Sequence, residues 1–143
     1  MKNSIPKKVS VALFYNEEGK IILQDRRKKS KWGEKYGLFG GKAENGETPK
    51  QTIDRELKEE LELKNYHLEL FKKYTWKNPE TGVKVERTVY LGAMPDISKL
   101  VCHEGEMEIR NFKESLELKM ISGFNELMID IYNTLKSEGK IID

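Results

Sequence analysis

The segment Thr48 to Leu63, TPKQTIDRELKEELEL, restricts this chain more than any other stretch. Thr48 is suited to an N-cap, Pro49 fits the first helical position, and Gln51 completes a capping box, so a helix begins here. Ile53, Leu57 and Leu61 recur at every fourth position and form one apolar stripe. Glu56, Glu59 and Glu60 fall on a different face, within roughly 6 Å of one another along the axis. A helix divided in this way lays its stripe on a core and turns its acidic face toward a cleft or solvent.

Three carboxylates on one helical turn repel each other, and the arrangement makes most sense around a hard cation. All-oxygen ligand sets suit Mg²⁺ or Mn²⁺, and Mg²⁺ typically works with a few carboxylates plus substrate phosphates. Gly40-Gly41 lies ahead of the helix and permits close backbone approach, so a carbonyl at Gly41 can join the ligand set. Glu47 stands just before the cap, near enough to contribute directly or through water. Arg55 precedes Glu59 by four residues, the spacing of an ion pair that holds that glutamate's rotamer. Taken alone, RELKEELEL is an ordinary charged, solvent-facing helix; the glycine pair and Glu47 at this spacing weaken that explanation. The chain thus reads as a metal-dependent enzyme acting on a phosphate compound.

Around this segment the pattern is mixed. Val9 to Tyr15 is β-branched and apolar and reads as a well-buried strand; Asn16 to Gly19 is a turn and Lys20 to Arg26 its hairpin partner. Residues 28–46 read as one long loop holding Trp32, Tyr36, Leu38 and Phe39. Tyr66, Leu68, Leu70, Tyr74 and Trp76 follow period two, interrupted by Lys72, and the turn Asn78 to Gly82 returns the chain along Val83 to Ala93. Met107 to Phe112 is a further short strand. Phe124, Leu127, Met128, Ile131 and Leu135 mark a C-terminal amphipathic helix. This order predicts a mixed sheet with helices packed against it.

A chain of 143 residues is enough for one domain with a real core. Its net charge of +2 names no partner. Cys102 is the single cysteine, which excludes an internal disulfide and suits a reducing cytoplasm. One cysteine and two histidines, His67 and His103, are too few for a thiolate or imidazole metal set. No stretch approaches membrane-spanning length, so the expected location is cytoplasmic.

The run from Gly41 to Leu63 resembles the motif of the Nudix hydrolases, G-x5-E-x7-R-E-U-x-E-E-x-G-U, where U is bulky and apolar. Gly41, Glu47, Arg55, Glu56, Leu57, Glu59, Glu60 and Leu63 match in register. The lead-in Leu38-Phe39-Gly40-Gly41-Lys42 and the preceding hairpin are similar too, and GETPKQTIDRELKEEL resembles the MutT-like branch. One position departs: Glu62 stands where the family has its second glycine. Two exits stay open: a left-handed Glu62, at a cost of ~1–2 kcal/mol, or a helix that runs on and leaves near Asn65.

The resemblance implies a Nudix-type α/β/α sandwich with a mixed β-sheet, as a single domain over residues 1–143. It implies hydrolysis of a nucleoside diphosphate-linked substrate, foremost a nucleoside triphosphate that is noncanonical or oxidised. Nucleotide sugars, dinucleotide polyphosphates or capped RNA are the alternative substrates, and a non-catalytic nucleotide sensor is the alternative class. Mg²⁺, with Mn²⁺ as a substitute, would be held by Glu56, Glu59 and Glu60 with Gly41 and Glu47. The catalytic set would be Glu56, Glu59 and Arg55, with Glu106 as the candidate later-loop base and Glu104 its rival. Arg27 and Lys42 are expected at phosphates; Phe39, Tyr36 or Trp32 would stack on a base, although aromatics near a sheet are more often core. The expected partner is a small nucleotide. Membrane and nucleic acid are not expected, and a homodimer stays open.

Overall fold

Strand β1 (Lys7–Tyr15) organises the molecule because both of its faces are buried. Val11 and Leu13 point into one core while Ala12 and Phe14 point into the other, which is why VSVALFY is nearly continuous in apolar residues. The computed structural model describes residues 7–28, 36–121 and 123–142. Within them β2 (Lys20–Asp25), β3 (Tyr36–Gly37), β4 (Phe39–Lys42), β5 (Leu68–Lys77), β6 (Lys84–Ala93) and β7 (Glu106–Asn111) join β1 in one mixed sheet. Strand β6 runs parallel to β1 along its whole length, and β5 pairs antiparallel with β6. On its other edge β1 meets β2 at the hairpin and β4 further back, from Val9 opposite Lys42 to Ala12 opposite Phe39. β2 in turn pairs with β7 and, at its end, with β3.

Helix α1 (Pro49–Leu61) covers one face through Ile53, Leu57 and Leu61, each fully buried. The opposite face is covered by a single turn, α2 (Phe112–Ser115), and by α3 (Phe124–Ser137), whose Phe124, Leu127, Met128, Ile131 and Leu135 are buried. The result is the expected α/β/α arrangement. Among the described residues no helix is long and apolar enough to cross a membrane.

Two expectations change. Residues 28–46 are not one loop: β3 and β4 lie within them, and Tyr36, Leu38 and Phe39 are core residues. The second long strand begins at Leu68, not Tyr66, its register on β6 shifts between Leu70 and Lys72, and Leu70 is 62% exposed. Of the two exits from α1, the left-handed one is taken: the helix ends at Leu61, with Glu62 at φ 53°.

Candidate active site

The helix that carries the glutamates is pinned at both ends. At its start the Thr48 hydroxyl accepts the Gln51 N–H at 3.2 Å and the Gln51 side chain accepts the Thr48 N–H at 2.9 Å, the reciprocal capping box. Thr52, one turn in and fully buried, donates its hydroxyl to Glu47 Oε1 at 3.1 Å. At the far end the Glu62 N–H bonds the Lys58 carbonyl at 3.0 Å. Residues 101–103 close over that end: the Val101 N–H donates to the Leu61 carbonyl at 3.1 Å and the His103 N–H to that of Glu60 at 2.7 Å. The Glu62 carboxylate pairs with His103 Nε2.

Strand β4 brings the glycine pair against the glutamate face. A Cβ at Gly40, at φ 149°, would lie 2.1 Å from the Ser10 carbonyl oxygen, and one at Gly41 would lie 2.4 Å from Glu56 Oε1. Glycine is required at Gly40, where the clash is with backbone at positive φ; at Gly41 the missing Cβ leaves room for the Glu56 carboxylate against the strand. The Gly40 N–H donates to Glu60 Oε1 at 3.0 Å. Glu60 is 8% exposed; burial, with the adjacent Glu56 charge second, pushes its carboxyl up to about 8. Glu56 is raised as well, by burial, against the opposing pull of Arg55. Glu59 stays half exposed. The acidic face therefore grades from buried to open, where the sequence led us to expect all three toward a cleft or solvent.

Arg55 links this face to the cap. Its guanidinium donates to Glu47 at 2.7 and 3.0 Å, to Glu56 Oε1 at 3.0 Å, to Glu59 Oε1 at 2.9 Å and to the Lys42 carbonyl at 3.0 Å. The hydrogen bond from Arg55, with the Glu44 N–H second, holds the Glu47 carboxyl down at about 2. Glu47 therefore acts here as the anchor of Arg55. Among the described residues no three His, Cys, Asp or Glu side chains already stand at metal-ligand spacing, because Glu59 is drawn to Arg55 and Glu60 to Gly40. The donor set nevertheless fits a hard divalent cation. It is all oxygen, and the missing side chain at Gly41 leaves backbone in contact with Glu56.

The later loop separates the two base candidates. Directly paired strand residues share a face, and Glu106 is opposite Asp25 whereas Met107 is opposite Gln24. Glu106 thus stands on the Asp25 face, 3.5 Å from Lys28. There Asp25, Arg27, Lys28, His103, Gly105 and Glu106 line a cavity of about 380 Å³. Glu104 is on the glutamate side: its charge helps to raise Glu60, and its carbonyl accepts Gln24 Nε2 at 2.8 Å.

Among the substrate candidates, Arg27 is gripped by Asp25 at 2.6 to 3.0 Å, a pairing that holds the Asp25 carboxyl well below the usual carboxylate range. Phe39 is 2% exposed and Tyr36 4%, so both rings are core and neither is open to a base. Lys42 is exposed and lends only its carbonyl to Arg55. Trp32 lies outside the described residues. Sequence reasoning missed Thr52 and the pairing of Glu62 with His103. No short spacing signals that pair, since its members stand 41 positions apart.

The NUDIX domain model matches residues 5–129 of the chain. The 8-oxo-dGTP diphosphatase of Escherichia coli is 34% identical over 75 residues, 52% of this chain and 58% of that protein. That of Haemophilus influenzae is 32% identical over 71 residues, 50% of this chain and 52% of that protein. The chain thus spans little more than half the length of the curated relatives it matches. In fold it is similar to the MutT protein of Methanosarcina mazei, with a TM-score of 0.72 at 20% identity, covering 95% of this chain and 99% of that one.

Proposed function

The chain belongs to the NUDIX domain family, and on that premise we propose that it hydrolyses a phosphoanhydride bond of a nucleoside diphosphate-linked substrate, foremost a nucleoside triphosphate. The observation that carries this reading is the pressing together of Glu56 and Glu60 against Gly40-Gly41, with both carboxyls raised by burial. A fold gains nothing in stability by burying two like charges side by side. A divalent cation and a polyphosphate give the arrangement a purpose.

Glu56, Glu59 and Glu60, with the Gly41 carbonyl, would hold the cation, Mg²⁺ before Mn²⁺. When bound, such an ion neutralises charge on the diphosphate oxygens and acidifies water. The protein's own groups do the rest. Arg55 fixes the rotamers of Glu56 and Glu59 through charge-assisted bonds anchored on Glu47. We assign to Glu104 the role of taking a proton from attacking water, on the ground that its backbone is tied to Gln24 and its charge is felt by Glu60. The 8-oxo-dGTP diphosphatase activity carried in the names of the two relatives makes oxidised purine nucleoside triphosphates the first substrates to try.

The test is a nucleotide panel incubated with purified protein and Mg²⁺, products identified by mass. We expect metal-dependent release of pyrophosphate or phosphate. Its absence from every nucleotide, with binding retained, replaces the enzyme by a sensor. Glu59→Gln and Glu60→Gln should each lower turnover by roughly 10²–10³-fold with the fold intact; unchanged turnover in both removes the metal site.

A further inference from the structure

Glu62 holds a backbone conformation that glycine adopts freely and that a residue with a Cβ resists. It is left-handed, at φ 53° and ψ 34°, and among the described residues it is the sole non-glycine with positive φ. Strain of this kind, kept beside a site, points to work done by the side chain. That side chain pairs with His103 Nε2, and both partners are about half exposed. A pair so exposed adds little to stability, so the strain is not recovered in folding. The glycine that the Nudix motif has at this position carries no side chain and cannot form the link.

The link reaches the connection between β6 and β7, residues 94–105, whose last part carries Glu104. Its backbone is fixed to the end of α1, where the His103 N–H donates to the Glu60 carbonyl at 2.7 Å and that of Val101 to the Leu61 carbonyl at 3.1 Å. On the other side it is fixed to β2. There the Glu104 carbonyl accepts Gln24 Nε2 at 2.8 Å, and a Cβ on Gly105, at φ 70°, would stand 2.7 Å from the Asp25 carbonyl oxygen. Glu104 thus sits between an anchor on β2 and an anchor on α1, and Glu62 supplies the side-chain part of the second. His103 also lines the cavity of about 380 Å³ with Gly105 and Glu106, so the pair stands at the rim of that open space.

We propose that Glu62 and His103 are positioning residues, strapping the loop that carries Glu104 to the end of α1 and so fixing that carboxylate relative to Glu60. This deepens the hydrolase reading and rests on it, and on Glu104 as the proton acceptor. A general base has to be held within hydrogen-bond reach of the water it activates, and a small misplacement of a reacting group lowers the rate. Glu60 stands on α1 and Glu104 on a loop forty-odd residues later; the strap joins the two elements that have to act on the same water.

The test is steady-state hydrolysis of the best nucleotide from the panel, with urea unfolding of every variant to establish folding. Glu62→Gly should lower kcat roughly three- to fivefold, the most that an exposed pair supplies, with KM little changed. It should do so although its fold is no weaker, a combination that a merely structural role does not produce. Glu62→Gln, which can still hydrogen-bond the imidazole, should keep more of kcat than Glu62→Gly. On a Glu104→Gln background Glu62→Gly should cost nothing further, because the group it positions is gone. If Glu62→Gly unfolds early, that background decides. Wild-type kcat in Glu62→Gly, or its full loss repeated on Glu104→Gln, overturns the strap while leaving the enzyme reading in place. Full turnover in Glu104→Gln does the same. Wild-type protein that hydrolyses no nucleotide overturns both.

Discussion

Glu62 shows how one residue is judged by its surroundings. It is the sole non-glycine with positive φ among the described residues, at φ 53° and ψ 34°, a conformation costing ~1–2 kcal/mol relative to glycine. The helix does not run on to avoid it, because the two carbonyls that Lys64 and Asn65 would need, those of Glu60 and Leu61, already accept the N–H groups of His103 and Val101. The glutamate side chain returns part of the cost by pairing with His103, but the pair is half exposed and such pairs are worth ~0–1 kcal/mol. Backbone strain outweighs it, so Glu62→Gly should stabilise the protein by roughly 0.5–1 kcal/mol, read from the midpoint of urea unfolding. A loss instead would show that the pair is worth more than the strain. The left-handed exit could be suspected from the motif, whereas the competition for the carbonyls could not, since it joins residues forty positions apart.

At the scale of the element, α1 was legible in nearly every local respect. Its cap, its proline and its apolar stripe depend on neighbours within a few residues, and local hydrogen bonding determined them. Thr48→Ala should therefore cost about 1 kcal/mol, with Thr48→Asp close to wild type, measured by thermal unfolding. A neutral Thr48→Ala would mean that the core stripe alone fixes the start. Strand β4 is the opposite case. Phe39-Gly-Gly-Lys has neither alternation nor β-branched residues, and becomes a strand only because β1 offers its edge from Val9 to Ala12. The burial of Phe39 follows from that pairing, so a ring that looked available for a base turned out to be core. Glu104 and Glu106 were equally indistinct in sequence. They separate only once the register of β7 on β2 sets Glu106 on the Asp25 face, while Glu104, ahead of the strand, bonds Gln24 through its carbonyl and adds its charge to the surroundings of Glu60.

For the whole molecule, the buried acidic face couples folding to protons. In the metal-free protein Glu60 keeps its proton up to about 8 while the unfolded chain releases it near 4.5. The folded state thus binds more protons across that window. The contribution of Glu60 to stability is full below about pH 4.5 and falls as pH rises toward 8, by an amount on the order of a few kcal/mol. Urea unfolding of chelator-treated protein between pH 5 and 8 should show this decline, and Glu60→Gln should flatten it; an unchanged slope in that variant would place the burial cost elsewhere. By itself the sequence determined the helix, its two faces, the all-oxygen character of the site and the family, because these are encoded in residue type at short spacing. Only the tertiary structure decided that Glu60 is buried against Gly40, that Glu47 serves Arg55, and that Glu62 meets His103. Each of those depends on how β1, β2, β4 and β7 meet α1. Burial and like-charge repulsion act through space, and no short spacing in the chain records which distant strands will be neighbours.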